Sequence, residues 1–167
     1  VLPESTDERV LDAAVKVTEQ GMAKVILIGA EDKIRAAAGD RSLEGIKVVD
    51  PANYDEKDAM RDRLVELRKH KGMTLDVARD RILDISYFAT MMVHAGLADG
   101  MVSGAQHTTA HTIRPAFEII RTTPGVSIVS SVFFMALADR VLVYGDCAVN
   151  PDPTAQELAD IAISSAQ

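Results

Sequence analysis

One cysteine, Cys147, is all the thiol this chain of 167 residues contains. An internal disulfide is excluded, and so sparing a use of cysteine fits a reducing compartment. Proline numbers only six while hydrophobic residues make up 47%, which excludes a disordered chain and leaves enough apolar side chains for a core. No apolar run reaches the roughly 20 residues of a membrane span, and no signal peptide precedes the first expected strand. No membrane partner is therefore expected, and the expected compartment is the cytoplasm. Positive charge is in deficit: 18 Lys and Arg stand against 25 Asp and Glu, for a net charge of −7. That balance argues against nucleic acid as a partner, though not against an anionic small molecule where basic groups cluster. Three catalytic signatures are missing as well. No HExxH accompanies His107 and His111, although their i, i+4 spacing is one that some zinc ligands use, so no metal is expected. No GxSxG elbow marks a nucleophilic serine, and no GxGxxG follows any strand. Cys147 itself reads as a small buried residue near a strand end.

What the chain does have is concentrated between Asp99 and Pro115, in DGMVSGAQHTTAHTIRP. Met101 and Val102 read as a strand tip, and Ser103-Gly104 as the turn beyond it, glycine being the residue that takes crowded or left-handed backbone. Three threonines, two histidines and Arg114 follow, then the apolar spacing of Phe117, Ile119 and Ile120. A strand, a small-residue turn and a helix start direct free backbone N–H groups and the positive end of a helix dipole at one spot. Hydroxyls at 108, 109 and 112 add donors, and Arg114 offers a planar fork matched to phosphate or carboxylate. The expectation is an oxyanion site. Thr and Ser before a helix also serve as plain N-caps, and a surface arginine is often simply solvated.

The rest reads as alternating strands and helices. VLP is a first short strand, and Ser5 with Glu8 forms a capping box for a helix that stops at Gly21. KVILIG (24–29) is a continuous apolar run bounded by glycine, as buried parallel strands are. A short helix over 31–38 and a strand over 46–49 follow, giving an α/β order that predicts a mainly parallel sheet with helices on both faces, three layers in all. Helices are expected over 56–71, closed by the basic group Arg68-Lys69-His70-Lys71, and from Thr74 to Gly96 with a break near Asp84. Thr122-Thr123-Pro124-Gly125 marks a boundary. Beyond it, 127–137 and 140–149 read as a hairpin and Thr154 starts a last helix, so 1–123 is expected to be a first α/β domain and 124–167 the incomplete start of a second. Both ends read as cuts through a longer protein.

At SGAQHTTAHTIRP (103–115) the chain resembles the phosphate acetyltransferase, or phosphotransacetylase, family. VLPE with Asp7-Glu8-Arg9, ELRKHKGMT (66–74), SSVFFM (130–135) and YGDCAVNPDPTAQELADIAI (144–163) resemble further family blocks in the expected order, so the likeness spans essentially the whole chain. The resemblance implies an N-terminal portion of an enzyme with two α/β domains and a cleft between them. It implies reversible movement of an acetyl group between coenzyme A and inorganic phosphate, with coenzyme A as a substrate and no tightly bound cofactor. Carried over by motif, Arg114 would hold the phosphoryl group of acetyl phosphate. Ser103, Gly104, His107, Thr108, Thr109 and Arg9 would bind substrate in the same cleft, and Arg68 would serve coenzyme A. A homodimer is implied for the full-length protein. The family's later DxSRG segment, whose aspartate is thought to take the thiol proton, does not occur in these 167 residues, so the chain alone is expected to be inactive. Two alternatives stand beside this reading: phosphate butyryltransferase, and a non-catalytic acyl-CoA-sensing domain like the C-terminal region of some malic enzymes.

Overall fold

Successive residues of the strand β1 (Ile26–Ile28) serve two different cores, and this alternation organises the first part of the chain. A computed structural model of the chain describes residues 1–166 in two units, Val1–Ile120 and Arg121–Gln167. In the first unit, β1 pairs in parallel with β2 (Lys47–Val49), Ile26 opposite Lys47 and Ile28 opposite Val49. Leu27 and Val25 pack with Leu11 and Ala14 of α1 (Glu8–Glu19) and with Ile34 and Ala38 of α2 (Glu31–Ala38). Ile28 and Val49 face the other way, toward Met60 and Leu64 of α3 (Lys57–Arg68), Ala78 of α4 (Leu75–Arg81), Phe88 of α5 (Ile85–His94) and Ile119 of α6 (Thr109–Ile119). Period-two side-chain alternation thus produces a three-layer α/β/α arrangement.

The expected first strand shrinks to one parallel bridge, Leu2 with Leu27, and Met101-Val102 forms no strand at all. Pro3 is the reason. Val102 N–H donates to the carbonyl of Val1, and a parallel ladder would next require residue 3 to donate back. Proline has no N–H, so pairing stops after the two bonds of Val1, which donates to the Gly100 carbonyl and accepts from the Val102 amide. The capping box is also corrected: α1 is capped by Asp7, whose carboxylate accepts the Arg9 amide, whereas the Ser5 hydroxyl donates to Leu2 and accepts the amide of Ile28. Ser5 is buried against the sheet, too far back to cap the helix. The helix of 56–71 ends at Arg68 and finishes in a single tighter 3₁₀ turn, Lys69–Lys71. Thr74 caps α4, and Asp84, accepting from the amides of Ser86 and Tyr87, caps α5 at the expected break. Every residue of α5 from Ser86 to Met92 is buried, as its apolar surround predicts.

In the second unit, β3 (Val132–Ala136) and β4 (Val141–Gly145) pair antiparallel, each shorter than the run that announced it. Helix α7 (Ala155–Ala166) packs on β4, its start held by a reciprocal Thr154–Glu157 pair. The Asp146 carboxylate turns the chain between them. It accepts the Ser131 hydroxyl, the amides of Ala148, Val149 and Asn150, and the Asn150 side chain. Burial works against its charge, but these donors outweigh it and hold the carboxyl well below the usual range. The hairpin leaves Phe133, Phe134, Val141, Val143 and Tyr144 exposed. The 167-residue chain is therefore expected to self-associate, read as a concentration-dependent shift in size-exclusion chromatography. A monodisperse monomer at high concentration would show that this surface is tolerated bare.

Candidate active site

The turn after Ser103 is made by Gly104 at φ +111°, a conformation L side chains rarely adopt. It swings four consecutive amides, of Gly104, Ala105, Gln106 and His107, onto one point, at N···O distances of 2.8, 2.6, 2.8 and 2.8 Å. The nest anticipated from sequence therefore exists, but its amides are not free. They are filled by the chain's own Glu4, whose residue is only 2% exposed. His107 Nδ1 lies 2.8 Å from the same carboxylate. Burial alone would raise the pKa of Glu4, but the Gln106 amide, the His107 ring and amide and the Ala105 amide outweigh it and pull it to about 2. An ionised carboxylate only accepts, so His107 must present Nδ1–H to it.

Thr108 caps α6, its hydroxyl oxygen accepting the His111 amide, so the capping reading holds for this threonine. The His111 ring stacks on that of His107 with centroids 4.5 Å apart. Its Nε2 meets Asp84 at 2.9 Å and its Nδ1 the Ser86 hydroxyl at 3.3 Å. Each histidine is thus tied to a separate carboxylate, Glu4 or Asp84, and α6 is gripped at its start from two sides. Among the described residues, no group of three or more His, Cys, Asp or Glu gathers as metal ligands would. Thr109 is exposed in the first turn of α6. The hydroxyls of Ser103 and Thr112 are buried and have no hydrogen-bond partner among the described residues.

The arginines fall into two places. Arg9 pairs with Asp7 at 2.7 Å and donates to the carbonyl of Ala105 at 2.8 Å, which brings it to the loop. With Glu4, Val102, Ser103 and Ala105 it lines a cleft of about 240 Å³. Arg114 lies farther along α6, exposed, with no hydrogen bond or ion pair among the described residues, and its charge is felt at the Tyr87 hydroxyl. That hydroxyl donates to Glu118 at 2.9 Å and accepts from Arg81, whose guanidinium also sits 4.9 Å above the tyrosine ring. The Glu118 carboxylate lies 3.8 Å from both Arg68 and Arg81, and Arg68 Nε is buried without a partner. Burial, then the hydrogen bond to Glu118 and its charge, push the Tyr87 phenol up to about 12 against the opposing charges of Arg81 and Arg114. Arg68 and Arg114 thereby share one neighbourhood, in which guanidinium charge exceeds carboxylate charge.

Sequence reasoning missed Glu4, Arg81, Tyr87 and Glu118, and read Asp84 only as a break between helices. Only Glu118 carried a signal, its i, i+4 spacing from Arg114. Glu4 and its amide partners are about a hundred residues apart in the chain. In the second unit, Cys147 is partly buried, its thiol on the Tyr144 carbonyl and its amide on the Ser131 hydroxyl.

Comparison with known proteins finds relatives along the whole chain. A family model described as phosphate acetyl/butaryl transferase matches residues 1–167. A phosphate acetyltransferase of Synechocystis sp. is 51% identical over 170 residues, covering 99% of this chain and 24% of that protein. One from Corynebacterium glutamicum is 47% identical over 169 residues, covering 100% of this chain and 51% of that protein. The structure of EutD phosphotransacetylase from Staphylococcus aureus superposes with a TM-score of 0.89 at 42% identity, over 97% of this chain and 49% of that one. The chain thus spans a quarter to a half of the length of these relatives.

Proposed function

This chain belongs to the phosphate acetyl/butaryl transferase family, and on that footing we propose that it forms part of a phosphate acetyltransferase. The reaction is acetyl-CoA plus phosphate to acetyl phosphate plus coenzyme A, in either direction. The observation that carries the reading is Arg114, an exposed guanidinium fork with no hydrogen bond or ion pair among the described residues, whose charge reaches the Tyr87–Glu118 pair that Arg68 also meets, on a chain of net charge −7. In this reading Arg114 holds the phosphoryl group. Ser103 brings an unpaired hydroxyl, Gly104 the turn, and Thr109 and Arg9 complete the substrate side. His107 and Thr108, both engaged by the protein, serve by fixing the loop, and Arg68 takes coenzyme A. Residues 124–167 begin a second α/β domain, and the full-length protein works in the cytoplasm as a homodimer.

The chemistry fits these parts. A free thiol has a pKa near 8.5, so attack on the acetyl carbonyl needs a base within hydrogen-bond reach, which the family's DxSRG aspartate would supply. Charge then grows on the carbonyl oxygen and the phosphate, where guanidinium donors stabilise it. No covalent intermediate on the protein is required, because holding both substrates in line supplies much of the rate.

The test is acetyl-CoA formation from acetyl phosphate and coenzyme A, followed by thioester absorbance. Full-length protein is expected to turn over acetyl phosphate faster than butyryl phosphate, and the 167-residue chain neither. Faster butyryl turnover would move the protein to the butyryltransferase branch. Tight acetyl-CoA binding without turnover would move it to the acyl-CoA-sensing class.

A further inference from the structure

The amide nest at 104–107 has the geometry of an anion site, yet an internal anion occupies it completely. Glu4 follows Leu2-Pro3 directly, and Leu2 is bonded on both sides to β1 through Ile26 and Ile28. The carboxylate is therefore mounted on the sheet, the most rigid element near the site, and it reaches a loop a hundred residues later. That loop has no strand of its own, since pairing of residues 100–102 with the chain start stops at Pro3, after the two bonds of Val1. Gly104 and Gln106 are exposed residues, so packing does not hold them. Four amides and the His107 ring on one buried carboxylate do, while Arg9 fastens the outer side through the Ala105 carbonyl. Glu4, Arg9 and Ser103 then line the same cleft.

We propose that Glu4 is a positioning residue, which sets Ser103, Arg9 and the start of α6 by acting as a built-in anion in the 104–107 nest. A consequence follows for the substrate. Because the amides are taken, its phosphoryl group is held by guanidinium and hydroxyl groups, and the nest becomes an anion site only when Glu4 is removed. The kinetic part of this inference rests on the acetyl-transfer reading; the structural part does not.

The experiment uses the full-length protein carrying Glu4→Ala, Glu4→Gln or Glu4→Asp. Glu4→Ala is expected to lower kcat/KM for acetyl phosphate by about 100-fold, the cost of misplacing a substrate-binding loop, with KM for coenzyme A little changed because Arg68 lies on α3. Formate, a free carboxylate of the right size, should refill the vacated nest and return about tenfold of the loss. It should do nothing for wild type or for Glu4→Gln, where the position is filled. Glu4→Asp should recover part of the activity without formate. Hydrogen exchange gives a readout independent of activity: the 104–107 amides should be protected in wild type, open in Glu4→Ala, and protected again with formate. Should Glu4→Ala fail to fold, Glu4→Gln keeps the volume and is expected to expose these amides while the α5 core stays protected. Freely exchanging 104–107 amides in wild type would overturn the proposal even if the enzyme were active. Unchanged kinetics in Glu4→Gln, or a loss in Glu4→Ala that formate leaves untouched, would overturn it too. A full-length protein without acetyl transfer, but with formate-restored protection, would overturn the functional reading and leave the loop assignment standing.

Discussion

Arg114→Ala in the full-length protein is expected to lower kcat/KM for acetyl phosphate by about two orders of magnitude. Charge-assisted hydrogen bonds contribute about 1.5–3 kcal/mol each, and loss of the two bonds of a bidentate fork at the lower figure, about 3 kcal/mol at about 1.4 kcal/mol per tenfold, gives that size. Both KM and kcat should move, because the same guanidinium would hold the phosphoryl group in the ground state and in the transition state. Arg114→Lys should rescue poorly, since an ammonium point charge cannot reproduce a planar fork. The site makes the test clean. Arg114 is exposed and bonds to nothing else among the described residues, so its removal should alter stability by less than about 0.5 kcal/mol. Steady-state kinetics at varied acetyl phosphate, with a thermal melt beside them, decide the matter. Wild-type kinetics in the alanine variant would remove Arg114 from the site.

The second large effect is on stability and comes from Glu4. Its carboxyl titrates at about 2 in the fold against an ordinary value near 4.5. Between those values the unfolded chain binds more protons than the folded one, so stability rises with pH across the interval. The stabilisation is fully present above about pH 4.5 and is lost as pH falls toward 2. A shift of that size corresponds to about 3 kcal/mol, on a side chain almost wholly removed from solvent. Glu4→Gln should therefore be less stable than wild type by about that much at neutral pH, with the gap closing as the solution is acidified. Urea titrations at several pH values, read at amides of the first-unit core such as Leu27 and Phe88, measure the difference. A gap that stays constant down to pH 2 would mean the nest is held by something other than the charge. Asp146, held low by its own donors, should act in the same direction within the second unit.

Much of this protein was legible in its sequence because the signals are local. An apolar run bounded by glycine marked β1, a short run closed by Asp50-Pro51 marked β2, and helix 31–38 fell where its glycine stop placed it. Thr74 and Thr154 announced helix starts and Asp84 marked a break, since a cap and its amides lie within three residues. The family likeness was readable in the same way, from blocks such as SGAQHTTAHTIRP. Tertiary structure decided what those signals left open. The sequence pointed to Ser5 as the cap of α1, and burial of Ser5 on the sheet left that role to Asp7. Pro3 read as part of a strand, but its missing N–H mattered only once Val102 lay beside Val1. The amides of 104–107 read as free because nothing near them in the chain could fill them. Tyr87, Glu118, Arg68 and Arg81 meet only where α3, α4, α5 and α6 pack together. Sequence periodicity reports neighbours three or four residues away, whereas a carboxylate in a nest a hundred residues distant is set by the packing of the whole layer.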